Sequence, residues 1–477
     1  MSFTSPQFFI FLLTSLIVYH FLSHKYQNIF LLAASYFFYC QWDYSFSYLM
    51  AATTLVVFIF SHYIYKSQSD RNKTILLSVA ITYNLLLLGL FKYYNFFIGA
   101  TSVFLEKFGF NPNLHVLKIL IPVGISFYIF QTISYLVDVY RGRIAPEPNF
   151  LNFALYIAFF PKLLTGPIER ADTLLPQIRH KRTVDANNFS QGIVLILYGL
   201  VKKVAVADVI ASQVEISFNN PAAQSSTTLL LSAYLYSILI YCDFSGYTDL
   251  ARGISKLFGI NLSENFSQPY FASNIREFWR RWHITLSTWL RDYLYIPLGG
   301  SRRGEARTIL NLMITMLLGG LWHGANWTFV FWGGAHGLML GAEHVFKKVS
   351  SGANVAVAGI IRGKPLANLS RLISIMITFN LVTLAWVFFR AESFSTAFLF
   401  LEGILMGRWQ TNPAALACLL YSLTIVLAID MPQYFAKNQA FLANSNLILR
   451  SFAYAVMISL IIITWSNDYV PFIYLQF

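Results

Sequence analysis

The chain has 477 residues and a formal net charge of +13, and only 12% of its residues are charged while 56% are hydrophobic. Soluble domains carry about 25% charged residues, so the composition excludes a water-soluble globular protein as well as disordered, collagen-like and disulfide-stapled chains. The positive charge lies in short loops between apolar runs, which is typical of the positive-inside bias of membrane proteins and not of nucleic-acid binding. We therefore predict an all-α, polytopic integral membrane protein.

Apolar runs recur along the whole chain. They occupy 7–23, 28–41, 46–65, 74–99, 115–139, 150–165, 190–212, 228–250, 308–322, 327–346, 372–389, 413–429 and 449–466. A helix needs about 20 apolar residues to cross the hydrocarbon core, so we expect roughly ten to twelve crossings, with the shortest runs as tilted or re-entrant pieces. The first run is predicted to be retained, not cleaved as a signal. No repeat or linker divides the chain, which predicts a single integral membrane domain over 1–477.

Basic residues cluster in loops at 66–73, 141–143, 179–182, 302–307 and 347–371. These loops are predicted to be cytoplasmic, whereas the nearly uncharged stretches at 100–113 and 213–227 should face outward. The stretch 348–370 is long and polar enough to be a mobile insertion.

The segment 251–307 differs from the rest because it carries nine basic residues and four acidic ones. Its run Ile275–Tyr295 fits one amphipathic helix. One face carries Phe278, Trp282, Leu286, Trp289 and Tyr293, and another carries Arg276, Arg280, His283, Ser287 and Arg291. Two interpretations stay open: an anchor at the membrane interface, or a cavity for an anionic ligand lined by His283 and the arginines.

A second feature is Leu317–Gly337. The outgoing arm, 308–322, would be only about 22 Å long as a helix, so the turn at 322–326 is predicted to lie inside the membrane, where it must line a cavity or be buried in protein. His323 in this turn is a functional-site candidate, since an imidazole can take up a proton near neutral pH; the alternative is a structural histidine. His336 follows two glycines, which suggests close helix packing.

Two further segments combine polar residues with an apolar setting. In Tyr241–Gly253, Asp243 and Asp249 are predicted to lie at the end of an apolar helix, where Asp249 could pair with Arg252. Two interpretations fit this pattern equally well: the acids pair with bases and end the helix, or they have a functional role. In Phe160–Arg170, two prolines and a glycine break the helix, which suits a substrate-lining loop.

Several motifs are absent from the sequence. It has no Walker A, HExxH or GxSxG pattern, its three cysteines are far apart, and its histidines and acids do not have metal-ligand spacing. We therefore predict no metal site.

Three segments together resemble the membrane-bound O-acyltransferase family: YCDFSGYTDLARGISKLFGI, NFSQPYFASNIREFWRRWHITLSTWLRDYLYIPLGGSRRG and LLGGLWHGANWTFVFWGGAHG. Together with FFPKLLTGPIER and the closing PFIYLQF, they are most similar to the subgroup of bacterial alginate O-acetylation proteins. The motif-bearing core covers about 160–340. The resemblance implies a bundle of transmembrane helices, with re-entrant and interfacial segments, around a central funnel.

The resemblance also implies site residues. His323, in LWHGANW, matches the catalytic histidine of the family, and His283 matches its second polar motif residue. Other candidates for substrate binding or transition-state stabilisation are Arg280, Arg281, Arg291, Trp322, Asn326, Asp243 and Asp249.

The implied reaction moves an acetyl group from a cytoplasmic thioester, acetyl-CoA, with no bound cofactor. The implied acceptor is a hydroxyl of an extracytoplasmic polysaccharide such as alginate, reached through a hydrolase-like partner protein outside the bacterial inner membrane. Relatives in the family acylate different polymers, so the sequence leaves the acceptor open. The alternative function is a multi-span transporter or acyl-group carrier without chemistry of its own.

Overall fold

A computed structural model describes residues 1–477 except 111–116, 118–119, 358–363, 467–471 and 474–477, and it describes only the main chain of 348–357 and 364–367. Every regular element in these described ranges is a helix. The first ten α-helices are α1 Pro6–Phe21, α2 His24–Cys40, α3 Tyr44–Lys66, α4 Asp70–Leu88, α5 Tyr94–Lys107, α6 Ile125–Tyr140, α7 Phe150–Ala158, α8 Phe160–Leu163, α9 Ala171–Arg179 and α10 Ala186–Leu200. The others are α11 Asp208–Asn219, α12 Ser226–Leu257, α13 Ile275–Arg281, α14 Ile284–Leu290, α15 Glu305–His323, α16 Trp327–Val357, α17 Lys364–Arg390, α18 Phe394–Met406, α19 Pro413–Ala436 and α20 Leu447–Thr464.

Shorter helical segments connect some of these elements. π-Helical turns cover Gly89–Tyr93, Val201–Ala207 and Arg291–Tyr295, and 3₁₀ turns cover Pro221–Ala223, Pro269–Phe271 and Phe441–Asn444. Each of the thirteen predicted apolar runs overlaps a helix. In run 115–139 the helix begins only at Ile125, because 120–124 is not helical and 115–116 and 118–119 lie outside the described residues.

Six helical stretches are long and apolar enough to cross a membrane. They are Tyr44–Lys66, Asp70–Lys107, Ser226–Leu257, Asn368–Arg390, Pro413–Ala436 and Leu447–Thr464. The chain is therefore a multi-pass membrane protein, as predicted. The total of ten to twelve crossings stays a prediction.

Side-chain caps set where many of these helices begin. Ser5, Asp43, Ser69, Asn149, Asn274, Ser393, Asn412 and Asn446 each accept a hydrogen bond from a main-chain N–H in the first turn. Such caps satisfy donors that have no partner within the helix.

The predicted insertion at 348–370 is largely helical. α16 extends to Val357 and α17 begins at Lys364, and 358–363 lies outside the described residues. The prediction of a long loop was therefore wrong over most of the segment: its polar residues continue the two helices on either side.

The chain forms two compact units. The first comprises Met1–Leu197 and Tyr247–Ser263, and the second comprises Tyr198–Gly246 and Glu264–Phe477. The proposed single domain over 1–477 stays a prediction.

In the first unit, the segment after α7 breaks as predicted and is packed inside the unit. Lys162 Nζ donates to the Gln131 side chain at 2.8 Å and to a main-chain carbonyl at 3.1 Å. The carboxylate of Glu169 accepts bonds from the main chain and hydroxyl of Ser263 at 2.6 and 3.0 Å, while burial raises the Glu169 pKa. Both charged side chains are thus held by polar partners within the unit.

α12 does not end where the sequence pattern predicted. Asp243 and Asp249 lie inside this helix, which runs on to Leu257, so the prediction of helix termination was wrong. The predicted pair with Arg252 is present in the first unit, at 3.8 Å from Asp249. Since opposite charges at i and i+3 neutralise each other, the helix can continue through the acidic positions.

α15 and α16 form the predicted helical hairpin, and their main chains are in direct contact. A Cβ added to Gly320 would lie 2.2 Å from the Phe329 carbonyl oxygen, and one added to Gly333 would lie 2.2 Å from that of Met316. Only glycine permits such an approach. The first arm has 19 residues, about 28 Å, and is longer than predicted; the depth of the turn in the membrane stays a prediction.

We predict that Gly333→Ala separates the two arms. The new methyl group meets a rigid carbonyl, so overpacking should cost about 1–3 kcal/mol and lower the Tm of the detergent-solubilised protein. Gly334→Ala is the matched control, because its Cβ would meet only the end of the Leu317 side chain at 3.3 Å. Equal Tm values for the two variants would contradict the role of the main-chain contact.

Candidate active site

The run predicted as one amphipathic helix is two short helices separated at Trp282 and His283. His283 has φ 42° and ψ 55°, a left-handed conformation that non-glycine residues rarely adopt. The prediction of a continuous helix was therefore wrong. Because the break turns the main chain, His283 does not share a face with the arginines but is completely buried.

Asn265 holds this break in place, and both its main chain and its side chain take part. Its carbonyl accepts the Ile284 N–H at 2.9 Å. Its side-chain Oδ1 accepts the N–H and the hydroxyl of Thr285, at 3.2 and 2.9 Å, and lies 3.1 Å from His283 Nδ1. Asn265 thus caps α14 from a distant part of the chain, since His283 at the N-cap position provides no capping bond.

His283 and His323 lie side by side in a buried aromatic cluster of the second unit. Their ring centroids are 6.4 Å apart. Trp322 contacts both rings, at 5.9 Å from His283 and 5.0 Å from His323. His323, at the end of α15, also packs edge-on against Trp332 at 5.1 Å. Burial lowers the pKa of His283 to about 3, so its imidazole is neutral at physiological pH.

His336 belongs to the same aromatic cluster, where it contacts Trp332 at a centroid distance of 4.8 Å. Its Nδ1 accepts a hydrogen bond from the Trp279 indole at 3.3 Å, and its ring stacks on Phe278 at a centroid distance of 6.0 Å. These contacts match the close packing that the neighbouring glycines predicted.

A buried ion cluster lies beside this aromatic cluster. Lys203 Nζ is 2.8 Å from both Asp208 Oδ1 and Asp243 Oδ1, and the second oxygen of Asp243 accepts the Ile473 N–H at 2.7 Å. The next residue, Phe244, packs edge-on against His283 at 4.8 Å. Asp243 therefore supports the main chain next to Phe244, whose ring packs on His283. Of the closing motif PFIYLQF, Phe472 and Ile473 are described by the structure and the other residues are not.

A cavity of about 530 Å³ opens next to α13 and α14. Its polar lining includes Arg276, Arg280 and Arg291, and its apolar lining includes Trp279 and Met316. Three arginines thus line a cavity among the described residues, but neither His283 nor His323 lines it. The prediction that His283 shares a cavity with the arginines was therefore wrong, and anion binding by this cavity stays a prediction.

The arginines of this cavity differ in their ion pairs. Arg276 lies 3.9 Å from Glu343, and Arg291 lies 2.7 Å from Asp292. Arg280 is exposed and has no ion pair within the described part of the chain.

The remaining predicted site residues make structural contacts. Arg281 pairs with Glu277 at 2.8 Å and does not line the cavity. Asn326 donates to the Glu392 carbonyl and accepts the Thr328 N–H at the start of α16. Asp249 lies in the first unit with its partner Arg252.

Comparison with known proteins places the chain in a family. A family model described as MBOAT, membrane-bound O-acyltransferase family, matches residues 140–386. The chain belongs to the membrane-bound O-acyltransferase family. The matched range contains His283, His323, Asn265 and the arginine cavity of this acyltransferase.

Three curated relatives are similar over most of their length. The probable alginate O-acetylase of Pseudomonas aeruginosa is 40% identical over 450 residues, covering 92% of this chain and 82% of that protein. The enzyme of the same name from Azotobacter vinelandii is 38% identical over 457 residues, covering 92% and 86%. The peptidoglycan O-acetyltransferase of Helicobacter pylori is 34% identical over 403 residues, covering 79% and 73%.

Sequence analysis missed several residues that shape the site of this acyltransferase. Asn265 lies 18 positions before His283, a separation that carries no helical signal. Lys203 falls in an apolar run, and only its position inside that run marks it as unusual.

We predict that Lys203→Met strongly destabilises this acyltransferase. The substitution leaves the buried carboxylate of Asp243 and the half-buried carboxylate of Asp208 without the cation that they share, and breaking a buried ion pair costs about 3–5 kcal/mol. Thermal unfolding in detergent measures the loss. Adding Asp243→Asn should restore part of it, because one of the two charges is then removed; a double variant no more stable than Lys203→Met would contradict this account.

Proposed function

We propose that this protein is an O-acetyltransferase of the bacterial inner membrane. It takes an acetyl group from a cytoplasmic thioester, acetyl-CoA, and passes it to hydroxyl groups of an extracytoplasmic polysaccharide such as alginate. The observation that carries the proposal is the pair of buried imidazoles, His283 and His323, at 6.4 Å within the range matched by the family. The names of the relatives, which include alginate and peptidoglycan acetylases, support the acceptor class.

His323 is the proposed general base. As the acceptor oxygen attacks the thioester carbonyl, the imidazole removes the hydroxyl proton, and a new C–O bond forms. The tetrahedral intermediate then collapses, the C–S bond breaks, and the imidazolium returns the proton to the leaving sulfur. The products are an acetyl ester and a free thiol, so protons and electrons balance.

His283 is the proposed second catalytic histidine. It is neutral and lies against the same indole, that of Trp322, as His323 does. A neutral imidazole in a dry aromatic setting can exchange a proton with a substrate without the cost of burying a permanent charge.

The arginine cavity is the proposed entrance for the donor. The phosphates of acetyl-CoA are anionic and suit guanidinium groups, and the apolar lining suits the thioester arm. Arg280 is the best placed, since its charge is not already neutralised by an ion pair. Arg291 and Arg276 complete the rim.

The proposed route passes the acetyl group outward and leaves coenzyme A in the cytoplasm. In this route, ten to twelve transmembrane helices surround a central funnel, and the basic loops lie on the cytoplasmic side. A hydrolase-like protein outside the membrane is the proposed partner that receives the acetyl group and modifies the polymer.

We predict that His323→Gln abolishes acetyl transfer. Proteoliposomes are loaded with acetyl-labelled acetyl-CoA, uronic acid oligosaccharides are supplied outside, and the acetyl label that reaches the outside free of coenzyme A, as ester or as acetate, is measured. Loss of a general base should lower the rate by about 10²–10⁴-fold. His62→Gln is the matched control, because His62 lies in the first unit and bonds a carbonyl of its own helix, that of Phe58.

Two outcomes would overturn the proposal. Equal rates for wild type and His323→Gln would remove His323 from the chemistry. Intact acetyl-CoA in the outer medium, with no ester formed, would identify a transporter.

We also predict that the double variant Arg280→Gln, Arg291→Gln raises the KM for acetyl-CoA and leaves kcat nearly unchanged. Loss of two charge-assisted contacts of about 1.4 kcal/mol together corresponds to a tenfold higher KM. Because salt screens exposed charges, the difference should shrink at high ionic strength. Arg408→Gln, at another exposed arginine, controls for loss of charge. A KM that equals that of wild type would contradict the entrance.

A further inference from the structure

The hydrogen bonds around Asn265 determine which nitrogen of His283 carries the proton. A main-chain N–H can only donate, so the side-chain atom of Asn265 that faces the Thr285 N–H at 3.2 Å must be the oxygen. The Thr285 hydroxyl, at 2.9 Å from the same atom, is consistent with this orientation. The amide cannot be flipped without placing its NH₂ group against the Thr285 N–H.

The same oxygen lies 3.1 Å from His283 Nδ1. An amide oxygen has no proton to give, and two facing lone pairs at this distance would repel each other. His283 Nδ1 must therefore be the donor, and in a neutral imidazole the other nitrogen, Nε2, then carries the lone pair.

We infer that Asn265 is a positioning residue that fixes His283 as the Nδ1–H tautomer, so that His283 presents a hydrogen-bond acceptor at Nε2 to the reactants and not a hydrogen-bond donor to the oxyanion. The inference rests on the proposed function and gives His283 a definite role within it.

The left-handed main chain at His283 supports this assignment. Such a conformation is strained for a residue with a Cβ and persists only where the surroundings impose it. Here Asn265 imposes it through one bond to Ile284, two to Thr285 and one to the imidazole itself. Asn265 thus couples the main-chain turn at His283 to the position of the proton on the His283 imidazole.

Aromatic and imidazole rings pack around His283. The titratable ring of His323 lies at a centroid distance of 6.4 Å, and Phe244 and Trp322 cover other parts of the imidazole. Asp243 precedes Phe244 in the chain and is paired with Lys203. Asn265, the partner of Nδ1, is uncharged. Asn265→Asp therefore adds one negative charge next to the imidazole without removing any other charge.

The first experiment reads the tautomer directly and needs no activity. The protein is labelled with ring-¹⁵N histidine in proteoliposomes, and His283→Asn identifies the His283 signals among the nine histidines by difference. We expect a protonated Nδ1 and an unprotonated Nε2 in wild type. We expect Asn265→Leu, which removes the acceptor, to lose this preference. A protonated Nε2 in wild type would overturn the inference, whether or not the protein transfers acetyl groups.

The second experiment uses substitutions that keep or remove the acceptor. Asn265→Leu should lower kcat by about 10²-fold with little change in the KM for acetyl-CoA. Asn265→Asp keeps an acceptor oxygen, so kcat at its optimum should stay within about tenfold of wild type. Because a carboxylate beside Nδ1–H favours the imidazolium, the acidic limb of its kcat profile should move to higher pH.

Asn311→Leu is the matched control for loss of a buried asparagine. Asn311 is fully buried and bonds the Gly300 carbonyl at 2.9 Å, so its loss should lower stability without moving the pH profile. If Asn265→Asp lowers kcat as much as Asn265→Leu does, or leaves the acidic limb where it is in wild type, the positioning role is wrong.

Discussion

The main-chain contact between α15 and α16 is the constraint on which the site depends. Gly320 and Gly333 bring carbonyl groups of one helix to within van der Waals distance of the other, and no side chain larger than hydrogen fits there. This contact fixes the end of α15, where His323 lies. Trp332 on the returning helix packs against that histidine, so the same hairpin provides the proposed base and part of its apolar wall.

An apolar protein must satisfy each charge that it buries, and this chain does so with compact clusters. Lys203 is shared by two carboxylates in the second unit, while Lys162 and Glu169 are bonded to neutral groups in the first. Buried ion pairs add little net stability. Their value here is geometric, because Asp243 supports the residue that packs on His283.

The helices were predictable from the sequence because bilayer-spanning runs have a strong apolar signal. His323 and His283 were also identifiable, the first from its turn between two apolar arms and both from the motifs that resemble the family. The break at His283 was not predictable, since Ile275–Tyr295 has a continuous helical pattern and the break is imposed by Asn265, 18 residues earlier. The same holds for α12, whose acidic residues suggested an end until their partners were known.

The arginines show where pattern and structure agree only in part. Helical spacing correctly grouped Arg276 and Arg280, which line one cavity. Arg281, another candidate for binding the donor, lies outside that predicted face. Its charge is paired with Glu277 one turn earlier in the same helix, an i, i+4 pair that the sequence spacing allows.

The indole rings around the histidines also have an optical consequence. Trp322 and Trp332 lie 5.0 and 5.1 Å from the ring of His323, and a protonated imidazole at such distances quenches indole emission. Under the proposed mechanism, these two indoles would report proton occupancy at His323 by their fluorescence. Each turnover that places a proton on this ring would dim two of the ten tryptophans, which makes the proton transfer visible in a stopped-flow trace without any added label.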